Sequence, residues 1–201
     1  MRHINHVEFV NISIKDKQYF KTLFKDVNTI GKLVKQINKN TLNYKDYIYD
    51  TQDKMKGDVF EIFAEIFFHL FQSDNRIGVY NYKPVMSSQD NGVDATGIGM
   101  NKKPLTVQVK FRTDKTYELK ERDIKQFGYQ SLIEYGVEKG SKSNMLLFTT
   151  AADLHWHTKV AVYCDTIRVI NFRVLSTLLD NNFCFWSTVR EFIDNEIEYK
   201  I

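Results

Sequence analysis

Proline and glycine are scarce here: two prolines and nine glycines in 201 residues. With so few chain breakers there is neither a linker nor a low-complexity tract, and no internal repeat, which excludes collagen-like, solenoid and largely disordered architectures. The two cysteines, Cys164 and Cys184, cannot make a zinc site by themselves; one disulfide is possible, but in a reducing compartment both are expected as buried thiols. Long apolar runs are also missing. The longest, Ile62 to Leu70, is interrupted by Glu65 and His69 and is far too short to span a bilayer. The opening residues, Met1-Arg2-His3-Ile4-Asn5-His6, lack the apolar core of a signal peptide. A soluble cytoplasmic protein with no membrane partner is the expectation.

What is present suits one domain of ordinary size: 43% of residues are hydrophobic and 14% aromatic, enough for a genuine core. Charge is nearly balanced, with 28 basic against 25 acidic residues, but unevenly placed. Lys15 to Lys39 holds seven lysines and two aspartates, and Lys102 to Lys125 holds eight basic and four acidic residues. The C-terminal end, with Glu191, Asp194, Glu196 and Glu198, leans acidic. A polyanion would be drawn to the first two segments and not to the last.

Periodicity assigns the elements. Phe20, Leu23, Phe24 and Val27 keep helical spacing, as do Ile30, Leu33, Val34 and Ile37, with Lys17, Lys21, Lys25 and Lys32, Lys35, Lys39 on the outer faces. Those lysine rows suit either phosphate contacts or an ordinary solvated surface. A stronger helix is predicted over Gly57 to Phe71, with Asp58, Glu61, Glu65 and His69 as a narrow polar stripe. A strand follows over Ile77 to Val85, then the turn Gln89-Asp90-Asn91-Gly92. Over Leu105 to Arg112 apolar and polar residues alternate, which predicts a half-buried strand with one polar face. Further elements are a helix over Asp123 to Tyr135, a strand over Asn144 to Thr149, a helix over His157 to Tyr163 and a strand over Thr166 to Asn171. Helices near Val174 to Leu179 and Ser187 to Ile197 close the chain. Strands alternating with helices indicate a mixed α/β sheet covered on both faces.

The chemistry-bearing residues gather around one strand. Gln108 and Lys110 are two apart and so share a face, and Asp94 precedes Gln108 by 13 residues, enough for a neighbouring strand and its loop. A carboxylate and an amide oxygen are hard ligands suited to magnesium, and a nearby ammonium can stabilise phosphate charge. By itself Gln-Val-Lys is weak, since every alternating strand has a polar face. A carboxylate-bearing helix upstream, a Gly-Val-Asp turn and an Arg/Lys cluster downstream add weight. His155-Trp156-His157 lacks a third ligand nearby in the chain, which favours an exposed or capping role over a metal pair. Tyr117 and Tyr129 are candidates for base stacking.

Gly92-Val93-Asp94 followed by Val107-Gln108-Val109-Lys110-Phe111-Arg112 resembles the active-site core of the PD-(D/E)XK nuclease superfamily. The glutamine in place of the usual acid is similar to the Mrr-like, restriction-endonuclease-like branch. The resemblance covers about Gly57 to Asn171. It implies a restriction-endonuclease-like α/β fold, a mixed central sheet flanked by helices: residues 1–55 as a helical N-terminal extension and 56–201 as the nuclease-like domain. It further implies a metal-dependent DNA endonuclease, cytoplasmic and bacterial or phage-encoded. Asp94, Gln108 and the Val109 carbonyl would bind Mg2+ (Mn2+ may substitute), Lys110 would be the catalytic lysine, and Glu61 would complete the site, with Glu65 as its competitor. Arg112, Lys115, Lys120, Arg122 and Lys125 would grip DNA phosphates, and a homodimer would allow both strands to be cut. Val93 stands where the family's motif has proline, and neutral Gln108 predicts weak, millimolar metal affinity. A non-cleaving DNA-binding or assembly module on the same fold is the alternative, and an interaction protein with a coincidental motif is a third.

Overall fold

A computed structural model of the chain describes residues 20–40, 52–72, 74–85, 92–138, 144–160 and 167–194. Lys15, Lys17, the turn residues 89–91, Cys164, Glu196 and Glu198 lie outside those residues.

Residues 20–24 are helical, followed by helix α1 (Ile30–Asn40). The Thr29 hydroxyl accepts from the Lys32 N–H at 3.1 Å, an N-cap that fixes where α1 begins. Phe20, Leu23, Phe24, Val27, Ile30, Leu33 and Ile37 are buried in the same core as the central helix, so the segment read as an extension contributes directly to that core.

Helix α2 (Gln52–Leu70) is the centre of the molecule. Val59, Phe60, Phe63, Ala64, Ile66, Phe67 and Phe68 are almost wholly buried, because the helix is covered on more than one side. Phe60 stacks on Phe148 of the sheet (ring centroids 5.3 Å), while Phe63 meets Phe24 (6.3 Å) and Trp186 (5.9 Å). Such aromatic contacts add about 0.5–1.5 kcal/mol each beyond the area they bury.

Five strands form one sheet: β1 (Val79–Pro84), β2 (Ala95–Gly99), β3 (Pro104–Lys110), β5 (Met145–Thr149) and β7 (Ile167–Ile170), in the order β1-β2-β3-β5-β7. β1, β2 and β3 form an antiparallel meander, and β5 and β7 continue it in parallel with β3. Gly97 lies where β1 bulges toward β2; a Cβ there would stand 2.9 Å from the Tyr80 carbonyl oxygen, so only glycine fits. Two short strands, β4 (Glu118–Leu119) and β6 (Asp153–Leu154), pair separately. Helix α3 (Glu121–Ile133) covers the face opposite α2, with its own apolar cluster around Phe127, Ile124 and Leu147. Helices α4 (Trp156–Val160), α5 (Phe172–Leu179) and α6 (Phe183–Asp194) complete the chain. The molecule is thus a mixed α/β structure with a five-stranded mixed sheet flanked by helices.

Three expectations change. β3 is not half-buried: Thr106 and Gln108, on its polar side, are 0% and 2% exposed because α3 lies over them, and Thr106 bonds Ser131 of α3 at 2.8 Å. Several helices begin earlier than the apolar pattern indicates, because side-chain caps start them. Asn171 accepts from the Val174 N–H (3.0 Å), Asn182 from the Phe185 N–H (3.1 Å) and Asp123 from the Lys120 N–H (2.8 Å). Cys184 is exposed on α6 rather than buried. Among the described residues no helix is long and apolar enough to cross a membrane.

Candidate active site

β3, β5 and β7 all end at one edge of the sheet, where antiparallel β2 begins and β1 finishes. Chain leaving the carboxyl ends of parallel strands usually builds the binding cleft of such sheets. Asp94, Gln108, Val109 and Lys110 all stand at this edge.

One residue past the Ala95–Val107 pair, the Asp94 N–H still donates to the Val107 carbonyl (2.9 Å) and its carbonyl accepts from Val85 (3.0 Å). There the ladder stops and a side chain takes over: Asp94 Oδ2 accepts from the Val109 N–H at 2.7 Å. The carboxylate thus occupies the place of the next strand residue, and charge-assisted bonding holds it there.

Gln108 is pinned from the other direction. Its Nε2 donates to the Gly92 carbonyl at 2.9 Å, which fixes the amide, since the flipped orientation would set two acceptors face to face. Gly92 has φ +83°, and a Cβ on it would lie 3.1 Å from the Phe127 nitrogen, so the turn feeding Asp94 is pressed against α3. Gln108 Oε1 is buried and makes no hydrogen bond. A buried acceptor left without a donor costs about 1–3 kcal/mol, and a pinned one cannot turn away.

Lys110 follows on the same side of β3 as Gln108, partly exposed, and its ammonium makes no hydrogen bond or ion pair among the described residues. Its backbone is anchored instead. Thr149 Oγ1 donates to the Lys110 carbonyl at 2.7 Å, and Thr150 Oγ1 donates to the Arg112 carbonyl at 2.7 Å. Both threonines are fully buried, and they clamp the end of β3 to the end of β5.

Glu61 and Glu65 come from α2, which covers the opposite face. Phe60 touches Phe111 just past the end of β3 (5.7 Å), so Glu61 is level with that edge. Tyr82, stacked on Phe68 at 4.7 Å, links the two sides. Burial, then the negative charges of Glu65, Asp94 and Glu61, hold its hydroxyl well above the usual tyrosine pKa. All three carboxylates therefore lie within electrostatic reach of one hydroxyl. Tyr82 escaped the sequence reading because no motif marks it, and only the packing of β1 against α2 reveals it.

The basic residues divide. Arg112 is committed within the protein: it donates to Asp123 at 3.0 Å and lies over the Tyr117 ring at 5.4 Å. Tyr117 in turn donates to Asp123 at 3.1 Å, whereas Tyr129 is 54% exposed. Lys115, Lys120, Arg122 and Lys125 are exposed, beside or along the first turns of α3. His155 has a capping role, its Nδ1 accepting from the His157 N–H at 3.3 Å.

Among the described residues no three His, Cys, Asp or Glu side chains gather closely enough to hold a metal on their own. A cation at Asp94 would have to draw on neutral oxygens and water as well, which is magnesium's habit. The orphaned, oriented Gln108 Oε1 beside the Asp94-bonded Val109 peptide fits that donor set. Comparison of the chain with family models, with curated proteins and with solved structures finds no match.

Proposed function

We propose that this chain is a magnesium-dependent deoxyribonuclease, with a restriction-endonuclease-like arrangement and a PD-(D/E)XK-type site in which glutamine replaces the second acid. The supporting observation is the junction of β2 and β3. There Asp94 is bonded to the Val109 N–H, Gln108 presents a buried oxygen without a partner, and Lys110 carries an ammonium without one.

Asp94 supplies the formal negative charge of the site, and Gln108 and the Val109 carbonyl supply neutral oxygens. A bound magnesium ion would polarise the phosphate and make its coordinated water acidic enough to attack. Lys110 stabilises the charge that builds on the phosphate oxygens as the bond to the leaving oxygen breaks. Glu61 or Glu65, near Tyr82, orients water on the α2 side. With one carboxylate at the centre, metal affinity is weak and activity calls for millimolar Mg2+ or Mn2+. A second copy of the chain would supply a second site for cutting both strands of a duplex.

The test is cleavage of plasmid, linear and branched DNA with magnesium or manganese, by wild type, Asp94→Ala and Lys110→Ala. Metal-dependent cutting that both substitutions abolish is the expected result. Binding without cutting would favour a non-cleaving module, and cutting that survives both changes would place the activity elsewhere.

A further inference from the structure

An open cleft of about 430 Å³ lies between α1 and the loop that follows β3. Lys35 and Asn38 of α1 line one wall, and Thr113, Lys115 and Thr116 line the other, with Phe172 between them. Neither lysine makes an ion pair among the described residues; Lys115 Nζ instead lies 5.7 Å from the centre of the Phe172 ring, which props it over the opening. Asp114 also borders the cleft, but its carboxylate is turned into its own loop, accepting from the Thr116 N–H (2.8 Å) and hydroxyl (2.6 Å). That leaves two ammonium groups, with hydroxyl and amide groups beside them, facing one space.

We infer that this cleft seats a backbone phosphate of the nucleic acid strand that passes the candidate active site, gripped by Lys35 from the N-terminal helix and by Lys115 from the loop. The inference rests on the nuclease reading for the identity of its polyanion. The place supports it. Thr113 is three residues beyond Lys110, a span of at most about 10 Å. At about 3.4 Å of axial rise per phosphate in one strand, the cleft lies within roughly three phosphates of the candidate cutting point. Of the lysines that α1 turns outward, Lys35 borders the cleft and Lys32 does not. The helical segment outside the motif region thereby becomes part of the strand's path.

The experiment is fluorescence anisotropy of the full chain with a labelled mixed-sequence DNA duplex in EDTA, where cutting cannot interfere, over a series of salt concentrations. Lys35→Gln, Lys115→Gln and the double variant are compared with Lys32→Gln. The double variant is expected to bind roughly tenfold more weakly at ordinary salt, with a salt slope smaller by about two, near 0.9 for each lost phosphate contact. Unchanged thermal unfolding midpoints establish that folding is intact. A double variant within about twofold of wild type, or a Lys32→Gln loss equal to that of Lys35→Gln, overturns the inference. If Asp94-dependent cutting is present while the lysine pair is indifferent, only the cleft is wrong. If no cutting is found but the lysine-dependent binding holds, only the nuclease reading fails.

Discussion

Asp94 and Val109 are joined by a hydrogen bond of 2.7 Å from backbone N–H to carboxylate, at the point where β2 and β3 cease to pair. A side chain that completes a sheet is constrained in position more tightly than one on a loop. Here the carboxylate also faces a tyrosine hydroxyl and, beyond it, two glutamates. Structure and chemistry are therefore loaded on one residue, and substitutions can separate them.

Asp94→Asn keeps an oxygen for the Val109 N–H but removes the charge, whereas Asp94→Ala removes both. Urea unfolding in EDTA should show the alanine variant losing about 1–3 kcal/mol and the asparagine variant much less. Metal-dependent cleavage should vanish in both. An asparagine variant that still cuts at the wild-type rate would show that the charge of Asp94 is not what the site uses.

At Gln108 the balance reverses. Gln108→Glu deprives the Gly92 carbonyl of its donor and buries a second carboxylate near Asp94. The metal-free variant should melt below wild type, because a buried charge without a partner is costly. Magnesium should then raise its midpoint more than it raises that of wild type, since binding to the native state alone adds about 2.7 kcal/mol at a hundredfold excess over Kd. Melting curves with and without the ion decide the matter; a variant indifferent to magnesium removes the case for Gln108 as a ligand.

Much of this arrangement was legible in the sequence. The alternation over residues 105–112 located β3, and the two-residue spacing put Gln108 and Lys110 on one side of it. What the pattern could not reveal was cover. Thr106 and Gln108 look solvent-facing until α3 is laid over them, and alternation says nothing of a helix that arrives 25 residues later at Ser131. Helix starts were misplaced for a similar reason: Asn171, Asn182 and Asp123 act through backbone N–H groups, outside the apolar period that defined the helices. Tyr82 became visible only through the packing of two distant segments.

Asp123 ties the end of β3 to the start of α3. Burial alone would raise its pKa, but the Lys120 N–H, the Arg112 charge and the Tyr117 hydroxyl prevail and hold it below the usual aspartate value. A carboxylate with a depressed folded pKa contributes stability that is complete above its unfolded pKa of about 3.9 and is lost as pH falls through the folded value. Asp123→Asn should therefore lower the urea midpoint clearly at about pH 6, with the gap closing toward pH 3 and below. A gap that persists undiminished in acid would mean that shape, not charge, makes the contact.

Arg168 presents the opposite case. It lies on the edge strand β7, paired with Leu146 and so directed toward the α2 side of the sheet. Its Nε and Nη2 are buried without a hydrogen-bond partner among the described residues, and burial lowers its pKa. Nothing in the proposed chemistry uses it. An uncompensated guanidinium in that setting weakens the fold, and an unbranched apolar side chain of similar reach can fill the space at no electrostatic cost. Arg168→Met should accordingly raise the thermal midpoint, by about 1 kcal/mol or more in unfolding free energy, with cleavage unaffected. A variant that melts lower would establish that the guanidinium has an anionic partner in solution. Repeating the melt in phosphate and in chloride would then tell whether that partner is a small anion.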